Sequence, residues 1–560
     1  VISRIVTVLV AIGCLVLAFL PARDAAVGLT MPYDMDQFRE IASAQAIADG
    51  HPLRDPFYRD EWVWYNPLLG ATVAGISRVT ALPVHEAFVQ AGPWLSVAAQ
   101  ALFFAMALVL VGPWPAAIAL ALLLFAPPHG ISGWMSPAVT PFIFSNNYAT
   151  TFFYAGLIAC ASAAGRREAW RWALLGALLG LTFLAHTAPA LVLGCCGVAA
   201  ALYAAGGSAG SKDPAPRPSD PALRLDHPVW RGRVRTVVVM LAVAIVVSSP
   251  FLYSIAGRYH LHVRNLDPVL WLWEQVDLAH LSGLARALLS PAGLLAIVGA
   301  VVLARRARVD RGAFVAVSWG ATALVLFAYG YLQQLTDNRY LPPLVPQHHF
   351  YFHVVAAGRL LAGVGAWTIV SALCAALART SGWKPALRLS DVAAPAIVLA
   401  GIYLVVTVND AKYRDRPDFQ EYRREAIARS DDFARTRVIE RLRAQTPADA
   451  VILASDEDSY YRVAPAGRAT VAVPSIQSNP YVTQGGRDAD QQQMLDALQA
   501  RDPLNFGALA RKYGVGFVLL GPDAVAGLEA SGPAPSLVRE LSRQGGYVLY
   551  EWTGKSQPGR

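Results

Sequence analysis

The chain of 560 residues is 55% hydrophobic and only 15% charged, with a mean hydropathy of +0.39. Ordinary soluble domains carry about 25% charged residues, so a soluble globule, a disordered chain and a coiled coil are excluded and a polytopic membrane protein remains. The formal charge is +8, and residues 409–560 hold 20 basic and 20 acidic side chains, so the whole excess falls in the first 408, where it reads as positive-inside loops and not as a nucleic-acid surface.

A helix crossing ~30 Å of hydrocarbon needs about 20 apolar residues. Such runs lie near 2–20, 86–111, 146–164, 169–185, 187–205, 235–256, 285–304, 313–332, 349–378 and 391–408. Shorter apolar stretches, 67–82, 113–127 and 130–145, are bounded or broken by Pro113, Pro127, Pro128 and Pro137, because proline interrupts helices. The first run is read as an uncleaved helix, since Pro21-Ala22-Arg23 is a poor cleavage site. The five cysteines, Cys14, Cys160, Cys195, Cys196 and Cys374, all sit in apolar runs, where free thiols behave as small hydrophobes.

Arg166-Arg167-Arg171, Arg231-Arg233-Arg235, Arg305-Arg306-Arg308-Arg311 and Arg379-Lys384-Arg388 mark cytoplasmic ends. Residues 33–66, 257–284, 333–348 and everything after 409 then face outward. The expected fold is a polytopic α-helical membrane protein of eleven to thirteen spans over 1–408, thirteen if all the short stretches cross. A first outside loop, 21–66, and a flexible cytoplasmic loop, 206–234, interrupt it. Residues 409–560 are expected to form a small extracytoplasmic α/β domain: a charged helix over 418–443, strands at 451–455, 469–473, 515–520 and 547–552, and helices at 491–500 and 506–512.

The first outside loop carries the most chemistry. Asp34 and Asp36 stand just before a helical stretch, followed by Trp62, Trp64, Tyr65, Asn66 and Pro67. A carboxylate there can cap the helix, take a proton from an attacking hydroxyl, or, as a pair, hold a divalent cation such as Mg or Mn through oxygen ligands. Aromatics such as Trp64 and Tyr65 can stack on a sugar ring or line the interface.

The series Asp34, Phe38, Ala42, Gly50 and Tyr65-Asn66-Pro67-Leu68, set after a first membrane helix, resembles the GT-C superfamily. These are integral-membrane glycosyltransferases using polyprenyl-phosphate-linked sugars, and they include protein mannosyltransferases, the lipid A aminoarabinose transferase and mycobacterial arabinosyltransferases. The resemblance implies that Asp34 or Asp36 is the catalytic base, Asp34 matching the family position. It implies an inverting transfer to a hydroxyl on a glycan, lipid or protein outside the plasma membrane. A departing lipid phosphate calls for positive donors, and the outside candidates are Arg264, Arg339 with Tyr340, His348, His349 and His186, with Arg359 deeper in a span. An O-antigen-ligase-like transferase, using Arg339 or His349, is one alternative. A transporter or flippase of lipid-linked glycans is the other, although no repeat of the kind transporters show is evident.

Overall fold

Long apolar runs bounded by arginine turns become helices because, away from water, a helix satisfies its own backbone hydrogen bonds. The computed structural model describes residues 2–126, 137–203, 228–270, 278–335, 344–380, 389–414, 417–531 and 536–554. The helices are α1 (Ile2–Ala26), α2 (Met35–Ala48), α3 (Leu68–Thr80), α4 (Val84–Val111), α5 (Pro113–Phe125), α6 (Ser145–Ala163), α7 (Ala169–Ala185), α8 (Thr187–Leu202), α9 (Pro228–Leu252), α10 (Asp267–Leu270), α11 (Leu278–Leu289), α12 (Pro291–Arg306), α13 (Arg311–Leu335), α14 (His348–Thr380), α15 (Leu389–Arg414), α16 (Pro417–Thr436) and α17 (Val438–Gln445). The C-terminal part alternates β1 (Val451–Leu453), α18 (Asp456–Asp458), β2 (Ala469–Thr470), α19 (Gln484–Gln499), α20 (Pro503–Tyr513), β3 (Val515–Leu520), α21 (Pro522–Ala530), β4 (Val538–Gln544) and β5 (Tyr547–Trp552).

Among the described residues six helices are long and apolar enough to cross a membrane: 2–26, 84–111, 230–258, 311–333, 348–379 and 392–409. α3, α5, α7 and α8 are shorter apolar helices of 13, 13, 17 and 16 residues. The stretch expected as a short span at 130–145 is not helical over 137–144. Pro137 and Pro141 each remove a helix donor there, and the segment runs irregular and buried, with Gln100 Nε2 donating to the Pro137 carbonyl at 2.6 Å. The remainder of that stretch, and most of the 206–234 loop, lie outside the described residues.

The chain divides into two compact units. The first holds 1–25, 92–249 and 276–420. Its apolar core is built on α5, α6, α8, α13 and α14. Gly299 on α12 and Gly365 on α14 let those two backbones touch, since a Cβ at either would strike the other helix's carbonyl groups. Small residues at such crossings are how membrane helices gain van der Waals contact.

The second unit gathers 26–91, 250–275 and 421–560. Its sheet has the order β2-β1-β3-β5-β4, parallel across β2-β1-β3 and antiparallel beyond. β3 is buried along its whole length. β4 and α21 were not expected from the sequence. β4 reads Val-Arg-Glu-Leu-Ser-Arg-Gln and is mostly exposed, as befits a charged edge strand. It turns into β5 through Gly545-Gly546, both at positive φ (58° and 83°), the backbone that tight hairpins demand. The helix expected over 418–443 is two helices, because Arg437 adopts a left-handed φ of 46° between α16 and α17.

Candidate functional site

Helix α2 starts where Asp34 stops the extended chain. Asp34 is its N-cap (φ −90°, ψ 143°), accepts the Asp36 N–H at 2.8 Å, and closes a capping box with Gln37, whose Oε1 accepts the Asp34 N–H at 3.3 Å. The side chain thus caps the helix, the first of the readings open to it, and is half-buried. Burial, then the neighbouring Asp36 charge, raise its carboxyl to about 6, against the opposing pull of the Asp36 N–H, Arg39 and Arg429.

Asp36 sits one turn before Arg39, and the two are ion-paired at 3.2 Å; the Asp36 side chain is 48% exposed and that of Arg39 10%. Arg39 donates from Nη1 to Gln477 Oε1 at 3.1 Å. Its guanidinium carbon lies 3.9 Å from the Tyr65 ring centre and 5.9 Å from that of Trp64. Burial works against its charge, but Asp36, Tyr65, Tyr460 and Glu40 outweigh it and hold Arg39 firmly protonated. Two buried donors, Arg39 Nε and Trp64 Nε1, have no hydrogen-bond partner among the described residues.

The surroundings hold this corner in place. Tyr460 Oη donates to the Met35 carbonyl at 2.6 Å and to Gln477 Oε1 at 3.1 Å. Ser430 on α16 accepts the N–H groups of Thr30 and Met31, both at 3.1 Å. Tyr422 stacks on Tyr33 at 3.8 Å. At the far end of α2, Arg443 grips both oxygens of Asp49, at 3.1 and 3.0 Å. A second buried carboxylate, Asp55, is 1% exposed. It accepts from Phe57 N–H at 2.7 Å, Tyr58 N–H at 3.3 Å and Asn479 Nδ2 at 2.6 Å. Burial raises it to about 7 in spite of those donors.

The sequence candidates thus separate into groups. Asp34, Asp36, Trp64 and Tyr65 come together in the second unit. Arg264, in the same unit, is exposed; its backbone N–H donates to the Pro480 carbonyl at 2.8 Å, and its guanidinium has no partner among the described residues. His186, His348 and His349 meet in the first unit, with ring centres 4.5 Å apart for His186 and His349 and 4.1 Å for the adjacent pair. His186 caps α8 by accepting the Ala188 N–H at Nδ1. Arg359 donates to the carbonyl of Ala126 at the end of α5. Arg339 and Tyr340 lie outside the described residues.

Arg39, Gln477 and Tyr460 were not singled out from the sequence. Only Arg39 left a signal: three residues after Asp36, it shares a helix face with it. The Asp456-Glu457-Asp458 triplet is turned to protein partners, Gln491 on Asp456 and Arg462 on Asp458. Among the described residues no group of three or more His, Cys, Asp or Glu side chains could hold a metal ion. One oxygen of each carboxylate is engaged, Asp34 Oδ1 by the Asp36 N–H and Asp36 Oδ1 by Arg39.

These features define a class: a polytopic helical membrane protein of GT-C fold, with its acidic first loop packed into a sheet-containing C-terminal unit. The chain is similar over 97% of its length to 97% of ArnT from Cupriavidus metallidurans bound to undecaprenyl phosphate, at 14% identity and a TM-score of 0.54. The same protein in its apo state gives 0.53 over the same shares, also at 14% identity. AglB from Archaeoglobus fulgidus, an archaeal oligosaccharyltransferase, gives 0.47 at 12% identity, with 92% of this chain covering 69% of that one. No protein-family model matches the sequence, and no curated protein matches it.

Proposed function

We propose that this chain is a membrane glycosyltransferase that moves a sugar from a polyprenyl-phosphate carrier to a hydroxyl acceptor, a glycan, lipid or protein, with Asp34 as general base. The observation that carries it is the withdrawn Asp34 carboxylate, raised to about 6, beside the Asp36–Arg39 pair in this fold. ArnT from C. metallidurans binds undecaprenyl phosphate, and that supports a polyprenyl-phosphate carrier here.

In this reading the acceptor O–H gives its proton to Asp34 as its oxygen attacks the anomeric carbon. The bond from that carbon to the phosphate oxygen breaks, and its electron pair leaves with the phosphate, inverting the anomeric centre. A base near pH 6 is partly protonated only in mildly acidic solution, and is a stronger acceptor than an ordinary aspartate. Asp36, neutralised by Arg39, serves to orient that arginine. The unclaimed N–H groups of Arg39 and Trp64 suit an oxygen-rich ligand, and a guanidinium fork matches phosphate. Tyr65 gives the sugar a face to stack on. The site stands outside the cytoplasm on the plasma membrane, with the C-terminal unit beside the acceptor.

Separate Asp34→Asn and Asp36→Asn variants, assayed in membranes with a radiolabelled polyprenyl-phosphate sugar, test this. Near-complete loss at Asp34 with normal expression is expected. Retained transfer in both variants overturns the assignment, and loss at His349 or Arg339 instead points to a ligase-like transferase.

A further inference from the structure

The stretch after α9 is strained chain held by named bonds. It opens with a wide helical turn, Tyr253–Arg258. Two consecutive non-glycine residues, His260 and Leu261, then adopt left-handed backbone, at φ 52° and 54°. Such backbone costs energy and persists where its surroundings over-determine it. Residues 475–480 of the same unit do so. The N–H groups of Arg264 and Asn265 both donate to the Pro480 carbonyl, at 2.8 and 2.9 Å, and Asn265 Nδ2 donates to the Ser475 carbonyl at 2.9 Å.

The residue so presented is Tyr259. Its ring stacks on Tyr481 at 4.7 Å. Its hydroxyl accepts the Trp62 N–H at 2.7 Å and an N–H of Asn479 at 3.1 Å, and its own proton faces the Trp62 carbonyl at 2.9 Å and Glu61 Oε2 at 3.0 Å. One hydroxyl thus meets both backbone groups of Trp62. Asn479 Nδ2 also donates to the buried Asp55 at 2.6 Å, and Ser254 Oγ donates to the next carbonyl along, that of Val63. The two residues that follow are Trp64 and Tyr65, the rings beside the Arg39 guanidinium. No helix or strand runs through 63–67. The direction of those rings is therefore set by what grips the backbone ahead of them: Tyr259, Ser254 and the Leu53 carbonyl, which accepts the Val63 N–H at 2.9 Å.

We propose, resting on glycosyl transfer at Asp34 as proposed above, that Tyr259 is a positioning residue. It fixes Trp62, and through Trp62 the Trp64 and Tyr65 rings, so that Arg39 is held in one orientation beside Asp36. Tyr259 itself touches no reacting atom. Its effect on transfer passes through Arg39.

A double-mutant cycle in membranes tests this, because residues that act through one another are non-additive. Tyr259→Phe keeps the ring on Tyr481 and removes the hydroxyl. It is expected to lower kcat/KM about five- to tenfold, with a melting temperature within about 3 °C of wild type. In an Arg39→Lys background the same change is expected to cost less than about twofold. A wild-type kcat/KM in Tyr259→Phe, or an equal fold-loss in both backgrounds, overturns the proposal, the second outcome making Tyr259 a general support of the fold. Should Tyr259→Phe fail to fold, Ser254→Ala is carried through the same cycle, with the same results expected and the same results overturning. Asp34→Asn is assayed alongside. Retained transfer there overturns the glycosyl-transfer reading and this inference with it, whereas an inactive Asp34→Asn beside a wild-type Tyr259→Phe overturns this inference alone.

Discussion

The guanidinium carbon of Arg39 lies over Tyr65, 3.9 Å from the ring centre. The side chain is a cation pinned to an aromatic face, with its Nη1 meeting both Asp36 and Gln477. Arg39→Lys keeps the charge and loses both the guanidinium over the ring and the fork. Transfer is expected to fall by about 10- to 100-fold in kcat/KM, while the melting temperature changes little. A variant with wild-type kcat/KM would show that the fork touches no reacting group.

The capping by Asp34 and the base role proposed for it can be separated. Asparagine and serine cap helices about as well as aspartate, whereas alanine costs about 1 kcal/mol. Asp34→Asn and Asp34→Ser are therefore expected to abolish transfer with near-native thermal stability. Asp34→Ala should lose both. Activity surviving in the asparagine variant would leave Asp34 a cap alone.

The acid limb of activity should fall near pH 6, where Asp34 takes up its proton, and Asp34 must be ionised to serve as base. A kcat profile flat from pH 5 to 8 would remove it from that role. Stability runs the other way. Asp34 and Asp55 are raised in the folded chain, to about 6 and about 7, so the folded state binds protons that the unfolded state releases. Their contribution is full below the unfolded aspartate value and is lost as pH rises through the folded values. Thermal midpoints are expected to decline between pH 4 and 7, and Asp55→Asn to flatten that decline.

Helix α2 is held at its C-terminal end by the Arg443–Asp49 pair. Asp49→Ala strands Arg443 and Arg468, both of which reach that carboxylate. It is expected to lower stability by about 1–2 kcal/mol, the range for a hydrogen-bonded charge at a partly exposed site. Partial loss of transfer should accompany this, with kcat and KM shifting together as the N-terminal carboxylates lose their register. Unchanged stability would mean that the capping box and the Tyr460 contact suffice.

Hydropathy marked the membrane helices because a buried apolar run is written consecutively, and Val515–Leu520 was readable as a strand for the same reason. β4 was not, since Arg539, Glu540 and Arg543 give it the composition of an exposed helix. Asp34 and Asp36 were visible as a local pair ahead of a helix. The partner that fixes Arg39 was not, because Gln477 stands 438 positions away and only tertiary folding brings it near. Arg359 was visible as a charge within a span, but its hydrogen bond to the carbonyl of Ala126, 233 positions away, was not.

Ser430 fastens Thr30 from 400 positions away, and this sets a schedule for biosynthesis. The acidic loop leaves the ribosome early and waits, unsecured, until the last quarter of the polypeptide has been made. A chain cut short by stalled translation can have its opening helices threaded into the bilayer and still lack Ser430, Tyr460 and Gln477, the distant residues that hold the start of α2. Completion of synthesis is thereby what fixes the start of α2 in its folded surroundings.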